Sequence, residues 1–277
     1  MRKRILWILG PAFCLVWLSG CIEDGRVAGG TAVGNPPQPG SSTFYLQATS
    51  GKPLLPKASA NAVRASDSSF SVIDSGGTTF IIREVLANVG YVKLKLPDSV
   101  ECIKDVETEC ELEDVKLPGP YIADLMTGKF QPDIGTFRIP PGIYRRVEFR
   151  LEGLQQMLPG IDSALFGHSM IIKGTFSYGG KTDRRFTFSL DFDEEIRIES
   201  LSGMTVRDQG LNKLILRLEV KKWLSGANIT RCLDGEDMAL DPEGNLSLDK
   251  NNDCGGLEDI LDAGVKGSGD LEEQHED

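Results

Sequence analysis

The chain has few histidines, no apolar run long enough to span a membrane, and no surplus of basic residues. Its 277 residues include two histidines, His168 and His275, which leaves little for proton transfer near neutral pH. The longest apolar run, residues 5–18, is shorter than the roughly 20 residues that a membrane-spanning helix needs. Lysine and arginine number 30 against 41 acidic residues, whereas nucleic-acid binding requires a basic surface. We therefore expect no nucleic-acid partner and no histidine-based enzyme.

The amino terminus has the pattern of an export signal. Three basic residues at positions 2–4 precede the apolar run, which ends in Leu18-Ser19-Gly20-Cys21. A charged segment, a short apolar segment and small residues in that order are typical of a cleavable signal peptide. Small residues let the backbone enter a protease, and the Cys21 sulfur is a strong nucleophile once ionised. An ordinary secretory signal and an uncleaved short anchor remain as alternatives.

The tetrapeptide that ends at Cys21 resembles the lipobox of bacterial lipoproteins. The resemblance implies that residues 1–20 are removed as a signal peptide and that fatty acids, palmitate among them, are attached to Cys21. Several acyl chains anchor a protein stably, whereas a single chain gives marginal binding. The membrane is therefore the expected partner and the cell envelope the expected location. Ile22, where inner-membrane lipoproteins of enterobacteria carry Asp, favours the outer membrane by the same resemblance.

Four cysteines follow the anchor, and an even number in an exported chain indicates disulfides. Pairing Cys102 with Cys110 and Cys232 with Cys254 is the simplest of the three possible connectivities. A zinc site built from all four thiolates is the alternative. It is disfavoured because no two cysteines form a C-x-x-C pair and because export exposes thiols to oxidation.

Acidic residues are concentrated at the carboxyl end, where Asp234 to Asp277 contain fifteen acids and two bases. Calcium binds through six to eight oxygen ligands, which this segment supplies densely. In an EF-hand alignment Asp249, Asn251 and Asp253 fill the first three ligand positions, but Cys254 and Ile260 occupy the positions that require Gly and Glu. We predict a solvated acidic loop held by a disulfide, with no metal and no cofactor. A calcium site of another type remains the alternative.

Alternation with a period of two dominates the rest of the chain and predicts β-strands. Phe186, Phe188, Leu190 and Phe192 alternate with polar residues, and residues 146–152 and 214–221 repeat the pattern. Many short strands that each have one apolar face must bury those faces against one another. The sequence therefore predicts an all-β protein with an antiparallel β-sandwich.

The predicted domain organisation has four parts. Residues 1–20 are the signal peptide, and residues 21–42, rich in Gly, Pro, Ser and Thr, are expected to form a flexible tether. Residues 43–226 form the sandwich, and residues 227–277 form an acidic, mostly irregular segment that contains one disulfide. A division of the sandwich into two domains near residues 155–168 is the alternative.

Two segments carry a further resemblance. Pro120-Tyr121-Ile122-Ala123-Asp124-Leu125 and Ile139-Pro140-Pro141-Gly142-Ile143-Tyr144 are similar to segments of bacterial lipoproteins with a prealbumin-like or Ig-like β-sandwich. In those domains a Pro-Gly turn begins a core strand whose Tyr follows the glycine by two residues. The resemblance covers about two-thirds of the chain, implies a fold, and brings no catalytic residues with it.

Three patterns resemble catalytic motifs, and each has a simpler explanation. Asp74-Ser75-Gly76-Gly77 is similar to the nucleophile segment of chymotrypsin-like proteases, but no histidine precedes Ser75 to activate it, so we predict a hairpin turn. Ser247-Leu248-Asp249-Lys250 matches S-x-x-K, without the helix that this motif requires. His168 follows Phe166-Gly167 and is expected to edge a strand.

These observations favour a lipid-anchored protein of the cell envelope with a structural, adhesive or ligand-binding role and no catalysis. The expected partner is an unknown envelope protein or glycan. The alternative is an envelope hydrolase that acts on glycans through carboxylates, with calcium as its candidate cofactor. That alternative predicts a cleft lined by two acids of the sandwich, such as Asp124, Glu148 or Asp191, because glycoside hydrolysis uses a pair of carboxyl groups.

Overall fold

The computed structural model describes most of the chain after the predicted tether. The described residues are 40–49, 69–98, 102, 109–111, 114–208 and 210–276. The predicted signal peptide, Cys21 and nearly all of the tether lie outside them. Within the described part, no helix has the length and the apolar character to cross a membrane.

The smaller of two sheets has four strands and includes both chain ends of the described part. From edge to edge it contains β14 (Gly269–Glu276), β12 (Leu211–Glu219), β1 (Gly40–Thr49) and β7 (Phe137–Ile139), numbered in chain order. Asn212 connects the start of β1 to Arg207, because its side-chain amide donates to the carbonyls of Ser41 and Arg207. The first described residues therefore lie at one defined end of the sandwich.

The larger sheet has ten strands. Its main path contains β11 (Glu194–Val206), β8 (Gly142–Leu151), β3 (Thr79–Lys95), β9 (Met170–Tyr178), β10 (Lys181–Leu190) and β13 (Leu246–Leu248). Four further strands lie off this path: β2 (Phe70–Ile73) and β5 (Asp114–Asp124) pair with β3, and β4 (Glu109–Glu111) and β6 (Lys129–Gln131) pair with β5. Short helices α1 (Val220–Ser225), α2 (Ile229–Asp234) and α3 (Leu257–Lys266) follow β12.

The predicted all-β sandwich is confirmed, with two exceptions to its antiparallel pairing. β1 pairs with β12, and β10 with β13, in parallel. Parallel neighbours need long connections, and both pairs join strands that are far apart in the chain. Alternation in the sequence identifies a strand and its buried face, but it carries no information about the direction of the neighbouring strand.

The core lies between the sheets and contains the apolar faces that the alternation predicted. Phe186, Phe188 and Leu190 of β10 are each at most 1% exposed. Phe80 of β3 lies at the centre of an aromatic group, with its ring centroid 5.7 Å from that of Phe176 and 5.3 Å from that of Phe186. Such offset and edge contacts add to the burial of large apolar surfaces.

The Pro-Gly turn at residues 140–142 begins β8 as the sequence predicted. Tyr144, two residues after Gly142, is fully buried, and its hydroxyl donates to the carbonyl of Pro140 at 2.8 Å. The bond satisfies a polar group that would otherwise be buried in the core without a partner. Burial raises the pKa of this hydroxyl, which therefore stays protonated.

The acidic carboxyl-terminal segment contains more regular structure than the mostly irregular chain that the sequence predicted. It contributes β13 to the larger sheet and β14 to the smaller one, and it contains the helices α2 and α3. Residues 37–277 form one compact unit. The segment therefore completes both sheets of the sandwich.

The larger sheet contains a junction at Asn88 that determines where the chain leaves it. β8 pairs with residues 89–94 of β3, and β9 pairs with residues 79–87 on the same side. The two strands therefore lie end to end. Between them the chain makes an excursion over residues 153–168, which we call the Ω-loop because its ends meet and its own side chains pack together.

Replacement of Phe80 with Ala should destabilise the protein by about 3–5 kcal/mol, because a large cavity would open in the aromatic group. The measurement is the midpoint and slope of urea unfolding. Ile73 to Ala is the control, since Ile73 on the adjacent strand is 59% exposed and its truncation should change stability by no more than about 0.5 kcal/mol. Equal effects of the two substitutions would contradict this description of the core.

Candidate functional site at the base of the Ω-loop

Asn88 forms hydrogen bonds to the residues at both ends of the Ω-loop. Its backbone N–H donates to the carbonyl of Ser169 at 2.7 Å, and its side-chain amide donates to the carbonyl of Glu152 at 2.8 Å. Gly153 and Gly167 then approach so closely that a Cβ on Gly153 would lie 2.9 Å from the Gly167 carbonyl oxygen. The chain therefore leaves the sheet and returns to it at one point.

A second apolar cluster attaches the Ω-loop to the outer face of the larger sheet. Leu154 and Leu165 of the loop are at most 1% exposed and pack against Ile122 and Ile171 of the strands. Hydrogen bonds add to this contact: the Gln131 side chain, for example, donates to the carbonyl of Pro159 at 2.7 Å. The loop is thus a packed element.

The outward side of the Ω-loop presents apolar surface to solvent. Phe166 is 54% exposed and Met157 is 39% exposed, so that two of the large apolar side chains exposed in the described structure lie in one loop. Exposed aromatic and methionine side chains are enriched where proteins bind partners. This surface is a candidate binding site.

A group of four charged or titratable side chains lies at the base of the loop. His168 donates from Nδ1 to Asp191 Oδ1 at 2.5 Å, and Lys250 Nζ lies 3.0 Å from Asp191 Oδ2. Glu258 accepts a hydrogen bond from the backbone N–H of Asp191. His168 and Asp191 meet because β9 and β10 pair at Met170 and Leu190, so the residues that flank this pair are neighbours.

The pKa values of this group reflect burial and ion pairing. Burial of the Asp191 carboxyl opposes its ionisation, but hydrogen bonds and charge from Lys250 and His168 outweigh that effect and lower its pKa. The bond to Asp191 raises the pKa of the Lys250 ammonium. Burial raises the pKa of Glu258. The group therefore holds an ionised carboxylate between two basic side chains.

Chemically, this arrangement joins three parts of the molecule. His168 belongs to the Ω-loop, Asp191 to the bend between β10 and β11, and Lys250 to the acidic segment. The hydroxyl next in the chain, Ser169 Oγ, is fully buried and donates to the carbonyl of Leu190. Its proton is thus directed to the sheet and away from the imidazole. The group acts as a connection between the loop and the segment.

The four cysteines that follow Cys21 form two disulfides. Cys102 is bonded to Cys110, and Cys232 to Cys254, so the simplest of the three predicted connectivities is confirmed. Disulfide sulfurs are not available as thiolates, which removes the four-cysteine zinc alternative. The second disulfide links α2 to the loop that precedes α3.

Asp74-Ser75-Gly76-Gly77 forms the turn between β2 and β3, as predicted. Ser75 Oγ donates to the carbonyl of Ala227 at 2.8 Å. Asp74 is 4% exposed, and its carboxylate accepts from the backbone N–H groups of Thr78 at 2.7 Å and Thr230 at 2.8 Å. The turn thereby fixes the start of α2 to the sandwich.

The three carboxylates that the hydrolase alternative named lie far apart. Asp124 is separated from the strand of Asp191 by three strand spacings, or roughly 14 Å. Glu148 lies opposite Lys93 of β3, whereas Asp191 follows Leu190, which is level with Ala87 of β3; the six residues between these levels span about 20 Å. Paired glycosidase carboxyls lie roughly 5–9.5 Å apart. Each of the three also has its own hydrogen-bond or ion-pair partners.

Acidic side chains of the carboxyl-terminal segment mostly accept hydrogen bonds within turns. Asp241 accepts from Asn245, and Asp253 accepts from Gly256 and Glu258. Within the described ranges, no three His, Cys, Asp or Glu side chains are grouped as a metal site would require. Ser247 lies in β13, so the S-x-x-K pattern starts no helix. His275 lies in β14 opposite Asn212.

The sequence pointed to His168 and to Asp191 separately, but it predicted neither their pairing nor the exposed loop. Residues 153–168 lack alternation, and that gap was interpreted as a possible domain boundary. The same gap is the signal that could have identified an excursion from the sheet. Pairing of His168 with Asp191 and Lys250 leaves no trace in the sequence, because these residues are brought together by strand pairing.

Replacement of Asp191 with Asn should lower stability at pH 7 by about 1–2 kcal/mol, because charge-assisted hydrogen bonds are lost. The Asp191 pKa is lower in the folded protein than its ordinary value of 3.8. The stabilisation is therefore present above pH 3.8 and is lost as the pH falls through the depressed value. Urea unfolding of both proteins at pH 7 and in steps below pH 4 measures the difference.

Asp193 to Asn is the matched control for this measurement. Asp193 pairs with Arg150 but is 71% exposed, so its loss should cost at most about 1 kcal/mol. A stability difference for the Asp191 variant that persists unchanged to the lowest pH would contradict the ion-pair description.

Comparisons with known proteins identify no relative of this chain. No protein-family model, no curated protein and no solved structure matches it. The function is therefore inferred from the residues and contacts described above.

Proposed function

We propose that this protein is a bacterial lipoprotein of the cell envelope, anchored through lipids on Cys21, whose β-sandwich binds another envelope component without catalysis. The observation that carries the anchor is the sequence Leu18-Ser19-Gly20-Cys21 after a basic segment and a short apolar run. Its spacing fits a cleavable lipoprotein signal and is too short for a spanning helix. Ile22 favours the outer membrane as the destination.

The two disulfides support an exported location independently of the signal. Disulfides form and persist in oxidising compartments such as the bacterial periplasm and are rare where thiols are kept reduced. Both Cys102–Cys110 and Cys232–Cys254 are bonded. The domain after the tether thus has the chemistry expected of an envelope protein.

The position of the Ω-loop supports a binding role. β8 runs from Gly142, at the end where β1 begins, to Leu151, where the Ω-loop leaves the sheet. Ten residues of strand span about 30 Å. A chain anchored before β1 would therefore carry Phe166 and Met157 well away from its attachment point, where an envelope protein or glycan can reach them. The wide separation of Asp124, Glu148 and Asp191 favours this role over a carboxylate hydrolase.

Replacement of Cys21 with Ser should abolish the anchor, because only a thiol can be converted to the lipid-bearing thioether. Radiolabelled palmitate should enter the wild-type protein and not the variant, and the variant should move from the membrane fraction to the soluble fraction. Cys14 to Ser, within the predicted signal, is the control and should leave labelling unchanged. A variant at Cys21 that stays labelled and membrane-bound would remove the proposal.

A photo-crosslinking residue in place of Phe166 should form adducts in intact envelopes, because this side chain is exposed on the proposed binding surface. The same residue in place of Ile73, which is similarly exposed but lies on β2, is the control and should form few. Electrophoresis followed by mass and glycan analysis identifies the adducts. Equal yields at the two positions, or none at Phe166, would argue against binding through the Ω-loop.

A further inference from the structure

Leu201 is the most exposed large apolar side chain of the described structure, at 99% exposure. It lies in a bulge of β11, an edge strand of the larger sheet. Between Glu199 and Met204 the chain advances five residues, while the partner β8 advances two. The three extra residues project Leu201 outward from the edge of the sheet.

Local hydrogen bonds and packing give the bulge a defined shape. The Ser200 hydroxyl oxygen accepts from the backbone N–H of Gly203 at 3.3 Å, and Gly203 has a positive φ of 70°. A Cβ on Gly203 would lie 2.6 Å from Ile143 Cγ2 and 3.0 Å from Arg145 Cγ. The bulge is thus seated on β8, and Leu201 is held at its tip.

A second apolar side chain and several charges surround the tip. Ile143 of β8 is 44% exposed, and Arg145 and Glu199 beside it are exposed as well. Arginine side chains can rest their alkyl parts on apolar surface while the guanidinium contacts phosphate. Phosphatidylethanolamine headgroups carry both a phosphate and an ammonium, which complement Arg145 and Glu199. Apolar residues flanked by charges are typical of segments that lie in a membrane interface.

The start of β1 locates this surface relative to the anchor. Gly40 packs so closely on the chain at the end of β11 that a Cβ there would lie 2.1 Å from the Arg207 carbonyl oxygen. Arg207 follows Leu201 by six residues, at most about 20 Å along the strand. Eighteen residues separate Cys21 from Gly40, and the chain between them spans at most about 65 Å when extended. An anchor at Cys21 thus keeps the bulge within reach of the bilayer.

We propose that the bulge of β11 is a membrane contact: Leu201, with Ile143 beside it, inserts into the interface of the bilayer that holds the lipid anchor. This inference rests on the proposed function. It adds an orientation, in which the edge of β11 faces the membrane and the Ω-loop faces away. A single inserted leucine cannot hold a protein on a bilayer alone, but next to an anchor it selects which side faces the lipid.

The test is an environment-sensitive fluorophore attached to the lipidated protein through Leu201→Cys. The introduced cysteine supplies the free thiol, because the other cysteines of the sandwich are paired in disulfides and Cys21 carries lipid. Leu201 is exposed, so the substitution leaves the core intact. The protein is incorporated into vesicles of phosphatidylethanolamine and phosphatidylglycerol, with and without lipids that bear a quenching nitroxide.

Position 201 should show blue-shifted emission and strong loss of emission with nitroxide lipids. The control is the same fluorophore attached through Ile73→Cys, at an exposed apolar position near the opposite end of β3, where emission should stay aqueous and unquenched. Flotation of the vesicles distinguishes a failure of the proposed lipid anchor from a failure of the proposed membrane contact. Protein that fails to float lacks the anchor, which overturns the proposed function and this inference with it.

Two outcomes overturn the membrane contact alone. Protein that floats while positions 201 and 73 give the same aqueous emission carries an anchor but does not insert Leu201. A blue shift at 201 that grows with the density of protein in the vesicles means that a second copy covers the bulge. Quenching at 201 that is independent of protein density, with none at 73, supports the contact.

Discussion

Buried backbone groups must find hydrogen-bond partners, and Asn88 meets that requirement where β8 gives way to β9. β8 ends there and β9 begins there, end to end along one side of β3. The side chain and backbone of Asn88 bond to Glu152 and Ser169 and so close the gap between the two strands. This junction fixes where the chain leaves the sheet, and therefore where the Ω-loop stands.

The same junction organises the neighbouring strands. β10 pairs with β9 and β11 pairs with β8, so the chain must bend between them at the level of Asn88. The bend places Asp191 against His168 and leaves its second carboxylate oxygen for Lys250. The backbone pairing at Asn88 thus brings the sandwich, the Ω-loop and the acidic carboxyl-terminal segment into contact.

The two surfaces for which we propose roles lie at opposite ends of β8. At the end where β1 begins, Gly40 and Arg207 are in contact and the bulge with Leu201 lies nearby. At the other end the Ω-loop presents Phe166 and Met157. A rigid sheet between them keeps the two surfaces apart, because strands that are paired on both sides resist bending. That separation fits the proposed binding role.

The sequence by itself determined the all-β sandwich and the buried faces of its long alternating strands, because the side-chain period follows directly from which face is buried. Its four cysteines allowed three disulfide pairings, and the simplest of these is the one that the structure contains. The tertiary structure alone decided the order of the strands, the parallel pairing of β1 with β12 and of β10 with β13, and the contact of His168 with Asp191. β14 contains almost no alternation and forms a strand because β12 offers it backbone partners. Backbone groups are the same in every residue, so the sequence does not record which of them will pair.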